Sequence, residues 1–216
     1  GYRVLGLPCS IDNDIPDTDL CIGTDTCLNT VIHLIDMVKA TAASHNRCFI
    51  IEVMGRNQGY LALMSAIASG SQVAVIPEFR YDLEKIIENL TRRRLRRHNN
   101  SVVVVAEGVC SGQEFMNRLT AAAGDRLEQE VRLTVLGHVQ RGGSPSFADR
   151  YLASRMGEFA MLALNQGEHG SMVGILRNRM NLTDLQTLSG RRPPLPADAI
   201  RLARNLGMEI GIPSET

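Results

Sequence analysis

The stretch Val102-Val103-Val104-Val105-Ala106-Glu107-Gly108 decides the fold. A run of valines closed by alanine reads as a strand buried on both faces, the pattern of a parallel sheet covered by helices. Glu107 and Gly108 end it, so the strand gives way at once to a polar loop. Upstream lie an amphipathic helix with a very basic last turn (83–97), a strand closed by Pro77 (72–76), a buried helix ending at Gly70 (60–69) and a β-branched strand (47–53). Further back, 25–43 carries helix-period apolar positions at Leu28, Val31, Ile32, Ile35 and Val38, with Thr24 placed as N-cap. Residues 2–7 read as a short strand ending at Pro8. Downstream, 113–123 reads as helix, 132–136 as strand, 147–165 as a long helix entered through a Gly- and Pro-rich turn, 173–176 as strand and 197–205 as a last helix. Strands alternating with helices predict an α/β fold of parallel strands with helices on both faces. Ligands of such folds sit at the carboxyl ends of the strands.

Composition narrows the function. The 216 residues are 44% hydrophobic and 21% charged, ordinary for a globular protein. Lys plus Arg and Asp plus Glu are both 23, so there is no basic surplus for a broad nucleic-acid footprint and no nucleic-acid partner is expected. No apolar run approaches the ~18 residues of a membrane helix, so no membrane partner is expected either. Five cysteines (Cys9, Cys21, Cys27, Cys48, Cys110) show neither a C-x-x-C pair nor zinc spacing, which fits a reducing, cytoplasmic compartment. The first residue is Gly1 and the chain opens within a strand-like run, so a fragment of a longer protein is expected.

Four polar segments follow strand-like runs: 10–14 (Ser10-Ile11-Asp12-Asn13-Asp14), 54–56 (Met54-Gly55-Arg56), 107–108, and 137–144 with His138, Arg141 and Gly142-Gly143-Ser144. If the strands are parallel, all four converge on one sheet edge. Together they suit an anionic, polyhydroxylated ligand such as a sugar phosphate, because guanidinium forks match phosphate oxygens and glycines admit backbone N–H groups. Each alone has a plainer reading. Asp12-Asn13-Asp14 equally fits an Asx-turn. It does not fit an EF-hand, since positions 6 and 12 counted from Asp12 are Asp17 and Gly23. His138 alone fits a structural histidine, Arg56 and Arg141 alone fit solvated side chains, Met54 fits a core residue, and Gly142-Gly143-Ser144-Pro145 fits a turn.

Taken jointly these blocks resemble the bacterial-type 6-phosphofructokinase family. Pro8-Cys9-Ser10-Ile11-Asp12-Asn13-Asp14 is similar to the family's P-G-T-I-D-N-D. Asp19 with Ile22-Gly23, Ser44-His45-Asn46-Arg47, Val53-Met54-Gly55-Arg56, Pro77-Glu78 and residues 135–145 follow in the family's order and spacing. The family's Gly-rich nucleotide loop and its G-G-D-G-S-like phosphate loop do not occur here. The resemblance therefore covers the C-terminal two thirds of a subunit and implies a two-lobed α/β fold lacking the N-terminal nucleotide-binding part. It assigns 1–23 and 140–189 to the remainder of the nucleotide-binding lobe, and 24–139 and 190–216 to the sugar-phosphate lobe. It implies that this fragment alone is inactive.

The resemblance implies transfer of the γ-phosphoryl of ATP to the 1-hydroxyl of fructose 6-phosphate, a glycolytic step, with Mg2+ as cofactor and ATP as co-substrate. By the same resemblance Asp12 is the base, Ser10 touches the transferring phosphoryl, Arg56 stabilises its charge, and Asp14 helps to hold the metal, unless it merely caps the loop. An ordinary Asp has a pKa of about 3.9, so such a base orients the hydroxyl and takes its proton as transfer proceeds. Met54, Gly55, Glu107, His138 and Arg141 are implied to hold the sugar phosphate. Arg47 and Arg132 are implied to reach its 6-phosphate from a neighbouring subunit of a homotetramer. Lys39, Arg96 and His98 fall near the family's allosteric effector positions, although a solvated helix end explains the basic run 92–97 as well. Gln72 stands where regulated members carry an acidic residue. Cys9 stands where ATP-using members carry Gly and pyrophosphate-using members Lys, and its small, uncharged side chain favours ATP. A pyrophosphate-dependent enzyme and a non-catalytic sugar-phosphate-binding homologue are the alternatives.

Overall fold

The computed structural model describes residues 2–41, 46–94 and 100–214. In chain order these form β1 (Leu5–Gly6), α1 (Thr24–Thr41), β2 (Arg47–Val53), α2 (Tyr60–Ser69), β3 (Val73–Val75), β4 (Phe79–Arg80), α3 (Leu83–Arg94), β5 (Ser101–Ala106), α4 (Gly112–Ala123), β6 (Glu130–Val135), α5 (Phe147–Asn165), β7 (Ser171–Leu176), β8 (Arg179–Asp184), α6 (Ala197–Asn205) and β9 (Ile212–Pro213). The helix expected over 25–43 and that over 83–97 extend in part beyond the described residues. The chain divides into two compact units, Gly1–Cys27 with Gly143–Pro194 and Leu28–Gly142 with Leu195–Thr216.

In the second unit β3, β5, β2 and β6 form one parallel sheet in that order. All six residues of β5 are buried, as its valine run requires. Cys48, Ile50, Val73, Val75, Val103 and Val105 share one face and pack with Ile86, Ile87 and Leu90 of α3 and Phe115 and Leu119 of α4. The alternate positions, among them Ile51, Ala74 and Val104, are buried as well, so both faces are covered. A short antiparallel pair, β4 with β9, lies outside that sheet and leaves no periodicity in the sequence to find it by.

The first unit holds a separate sheet in which β1 pairs with β7 in parallel and β7 pairs with β8 antiparallel. A single parallel sheet edge for all four polar segments is therefore corrected: segment 10–14 follows a strand of this second sheet. The strand β8 also escaped the sequence reading, because its polar residues (Arg179, Asn181, Thr183, Asp184) carry no buried run. The guanidinium of Arg191 grips Asp17 at both carboxylate oxygens, 2.7 and 2.8 Å, and holds its carboxyl below the usual range. A lowered carboxyl contributes stability above its unfolded value of about 3.9 and loses it as pH falls through the folded value. Asp17→Asn is thus expected to lower Tm at pH 7, with the difference from wild type shrinking once a pH series of thermal melts passes below about 3.9 and vanishing only below the lower, folded value.

Candidate functional site

The chain leaving β1 closes a loop on itself. The Ile22 N–H donates to the Pro8 carbonyl at 2.9 Å, and Cys9 pairs with Ile22 in a single parallel bridge. Inside that loop Asn13 sits in the left-handed region, φ 53°, a conformation asparagine tolerates. Its side chain accepts from the Cys21 N–H at 2.8 Å and donates to the Asp19 carbonyl at 3.2 Å. The buried Thr24 hydroxyl donates to the Ser10 carbonyl at 2.8 Å. Between these anchors Asp12 is 4% exposed. The Ser10 hydroxyl donates to Asp14 at 2.6 Å and accepts from the Asp12 N–H at 3.3 Å, so Asp14 caps the loop whatever else it does. Burial, with lesser contributions from Asp14 and Asp12, pushes the Cys21 thiol up to about 12, which keeps it protonated and inert. No group of three or more His, Cys, Asp or Glu among the described residues could hold a metal alone. Magnesium, however, is usually bound by one or two carboxylates together with substrate phosphates, and the Asp12–Asp14 loop fits that mode.

In the second unit, loops 54–56, 107–108 and 137–141 follow β2, β5 and β6 and meet at the carboxyl edge of one sheet. The Glu107 N–H donates to the Val53 carbonyl at 2.9 Å. Its carboxylate accepts from the Gly55 and Arg56 N–H groups at 3.3 and 3.0 Å, which holds Arg56 in its left-handed turn, φ 50°. Gly108 packs against that turn; a Cβ there would lie 1.9 Å from the Arg56 carbonyl oxygen. The buried Met54 gives its N–H to Gln140 Oε1 at 3.1 Å, and Gln140 Nε2 donates to the Gly137 carbonyl at 2.9 Å. His138 and Arg141 are exposed on the 3-10 turn Gly137–Arg141 that Gln140 anchors. The edge therefore presents an arginine, a histidine, a second arginine and a carboxylate over backbone that is already satisfied.

Arg47 and Arg132 lie elsewhere. Arg47 opens β2 and pairs across the ladder with Glu130, while Arg132 pairs with Phe49. Glu130 accepts from Arg47 Nε at 2.9 Å and bonds Arg132 as well, so one carboxylate gathers both guanidiniums on one face. At about 3.3 Å per residue, Arg47 stands about 20 Å from the far end of β2.

The effector candidates separate too. Lys39 Nζ donates to the Ser69 carbonyl at the end of α2, 2.6 Å, where a helix C-terminus welcomes a cation. Gln72 Oε1 accepts from the Val102 N–H at 2.5 Å and so completes the start of β5. Arg96 and His98 lie outside the described residues. Sequence reasoning placed Asn13 and Gln140 inside motif segments without giving either a role of its own, and passed over Glu130 and Asp149. Of the last two, only Asp149 had a signal, its spacing of three from Ser146 before an apolar run.

The family model for phosphofructokinase matches residues 1–164. The chain belongs to the phosphofructokinase family. An ATP-dependent 6-phosphofructokinase of Halalkalibacterium halodurans is 46% identical over 208 residues, covering 96% of this chain and 64% of that relative. The chain thus spans less than two thirds of the length of that relative. A phosphofructokinase structure from Saccharomyces cerevisiae superposes with a TM-score of 0.79 at 34% identity, covering 87% of this chain and 26% of that one. A pyrophosphate-dependent phosphofructokinase from Marinobacter aquaeolei shares the fold, with a TM-score of 0.75 at 22% identity, covering 100% of this chain and 62% of that one. The α/β phosphofructokinase fold expected from the sequence is the fold present.

Proposed function

We propose that this chain carries the acceptor-side machinery of an ATP-dependent 6-phosphofructokinase. The observation that carries the reading is the nearly buried Asp12 in a loop closed by Asn13 and Thr24, within a family whose 46% identical relative is named ATP-dependent. In the reaction the 1-hydroxyl oxygen of fructose 6-phosphate forms a bond to the γ-phosphorus of ATP. The bond from that phosphorus to the bridging oxygen breaks, ADP leaves, and the hydroxyl proton passes to the Asp12 carboxylate. Ser10 meets the transferring phosphoryl, and Arg56 supplies fixed positive charge toward it, most effective where water is excluded. Asp14 would hold Mg2+ together with the nucleotide phosphates, and the ion would supply neutralisation of phosphate charge. The first unit is the nucleotide side and the second the sugar-phosphate side, where Met54, Gly55, Glu107, His138 and Arg141 hold the sugar. Free cysteines throughout the described chain agree with a cytoplasmic, reducing setting. Lys39 keeps 39% of its side chain exposed, and an anionic effector there belongs to the same reading.

Arg47 and Arg132 stand at the opposite sheet edge from His138 and Arg141. One sugar phosphate meets both sets only if a second copy supplies the Arg47–Arg132 pair, so the active form is a homo-oligomer, a tetramer by family likeness. Full-length Arg47→Ala is expected to raise KM for fructose 6-phosphate about tenfold, one charged hydrogen bond's worth, with kcat little changed. Mixed oligomers of Arg47→Ala and Arg56→Ala subunits should regain sites that combine the wild-type KM, which Arg47→Ala alone lacks, with the turnover that Arg56→Ala alone lacks. An unchanged KM, or no recovery on mixing, defeats the shared site.

A further inference from the structure

Asp149 lies in the first turn of α5 and is 2% exposed, yet nothing in the reaction above uses it. Its Oδ1 accepts from the Gly23 N–H at 2.8 Å. Its Oδ2 accepts from the Thr26 N–H at 2.8 Å and from the Thr26 hydroxyl at 2.5 Å. Ser146 is the N-cap of α5 and its Oγ accepts from the Asp149 N–H at 3.2 Å. Ser146 and Asp149 thus have the spacing of a capping box, in which the acidic side chain turns back to the cap residue's own N–H. Here it does not. The Ser146 N–H donates to Thr26 Oγ1 at 3.0 Å instead, and the carboxylate crosses to the N-terminus of α1. One negative charge therefore sits against the positive ends of two helices and satisfies N–H groups that α1 cannot satisfy itself. Gly23 leads into α1 at φ +101°, a conformation that glycine adopts without a side-chain clash.

That first turn is also the floor of the Asp12 loop. Thr24, between the two residues Asp149 holds, donates its hydroxyl to the Ser10 carbonyl, and Cys21, just before them, donates its N–H to Asn13. We infer that Asp149 is a positioning residue for phosphoryl transfer, acting through the first turn of α1 and Thr24 to hold Asp12 at the acceptor hydroxyl. The inference rests on Asp12 being the base. A misplacement of about 1 Å transmitted from a distant residue costs about 10²-fold in rate, whereas binding made by other loops is spared.

The test uses the full-length protein and four variants. Asp149→Asn, which cannot accept at both oxygens, is expected to lower kcat at least tenfold with KM for fructose 6-phosphate within threefold. Thr24→Val, which leaves Asp149 and its donors in place, is expected to do the same, and the double variant to lose no more than the worse single one. Leu182→Ala, a packing change in the same unit, is the stability control and should keep kcat within twofold at a similar loss of Tm. If Asp149→Asn keeps kcat within twofold, if Leu182→Ala lowers it equally, or if the losses of Asp149→Asn and Thr24→Val simply add, the positioning role is overturned. Asp12→Asn measured alongside separates the two ideas: its loss of turnover with Asp149→Asn intact removes only the positioning role, while its retention removes the base itself.

Discussion

Asp12→Asn in the full-length protein is expected to lower kcat by about three orders of magnitude, within the range that a positioned proton acceptor contributes. The loop's geometry runs through Asn13, Thr24 and the Ser10 carbonyl, so an amide of the same shape leaves the backbone where it is. The sugar contacts proposed at 54–56, 107 and 138–141 do not pass through Asp12, and KM for fructose 6-phosphate is expected to stay within about threefold. A fall in kcat and kcat/KM by the same factor is the signature of an interaction made only in the transition state. Steady-state assays of ADP release with ATP, at several sugar-phosphate concentrations, read both quantities. Turnover within tenfold of wild type would remove Asp12 as base. Formation of fructose 1,6-bisphosphate, measured with ATP and then with pyrophosphate, reads the donor, and faster turnover with pyrophosphate would overturn the ATP reading.

Gly108→Ala is expected to damage both stability and catalysis. A Cβ at Gly108 would lie 1.9 Å from the Arg56 carbonyl oxygen and 3.0 Å from its carbonyl carbon. Both are backbone, so no side-chain rotation relieves the clash. Overpacking of this kind costs about 3 kcal/mol, which for a chain of this size lowers Tm by about 6–12 °C. The relief available is movement of the Arg56 turn away from β5, which breaks the bonds from the Gly55 and Arg56 N–H groups to Glu107. Arg56 then leaves its place, and kcat/KM falls by about 10²-fold. Calorimetry and kinetics on the same preparation check the pair of effects. A variant with wild-type Tm and activity would show that the turn and β5 do not pack as described.

The reach of the sequence is clearest where burial leaves a period. The valine run of β5, the β-branched β2 and the apolar spacing of α2, α5 and α6 were legible because each buries a run or face that water must not see. The polar strand β8 and the short pair β4–β9 bury too little to leave a trace, and so did not declare themselves. The site divides in the same way. Asp12, Arg56, Glu107, His138 and Arg141 were named from their motif, since residue type and spacing are what a motif records. Which partners fix them is a matter of long-range hydrogen bonding that spacing does not record. Gln140 reaching Met54, and Glu107 reaching Gly55 and Arg56, are separated from their partners by 86, 52 and 51 residues.

The amino-acid order alone settled the alternation of strands and helices and the family, and it named the candidate site residues, because these depend on local pattern and on side chains that are simply present or absent. Only the folded chain decided that segment 10–14 leaves a different sheet from the other three polar loops, that Glu130 gathers Arg47 and Arg132 at the far edge from His138, and that Asp149 answers two helix ends at once. Those facts depend on which distant segments come to lie side by side, and that is fixed by packing and hydrogen-bond satisfaction over the whole chain.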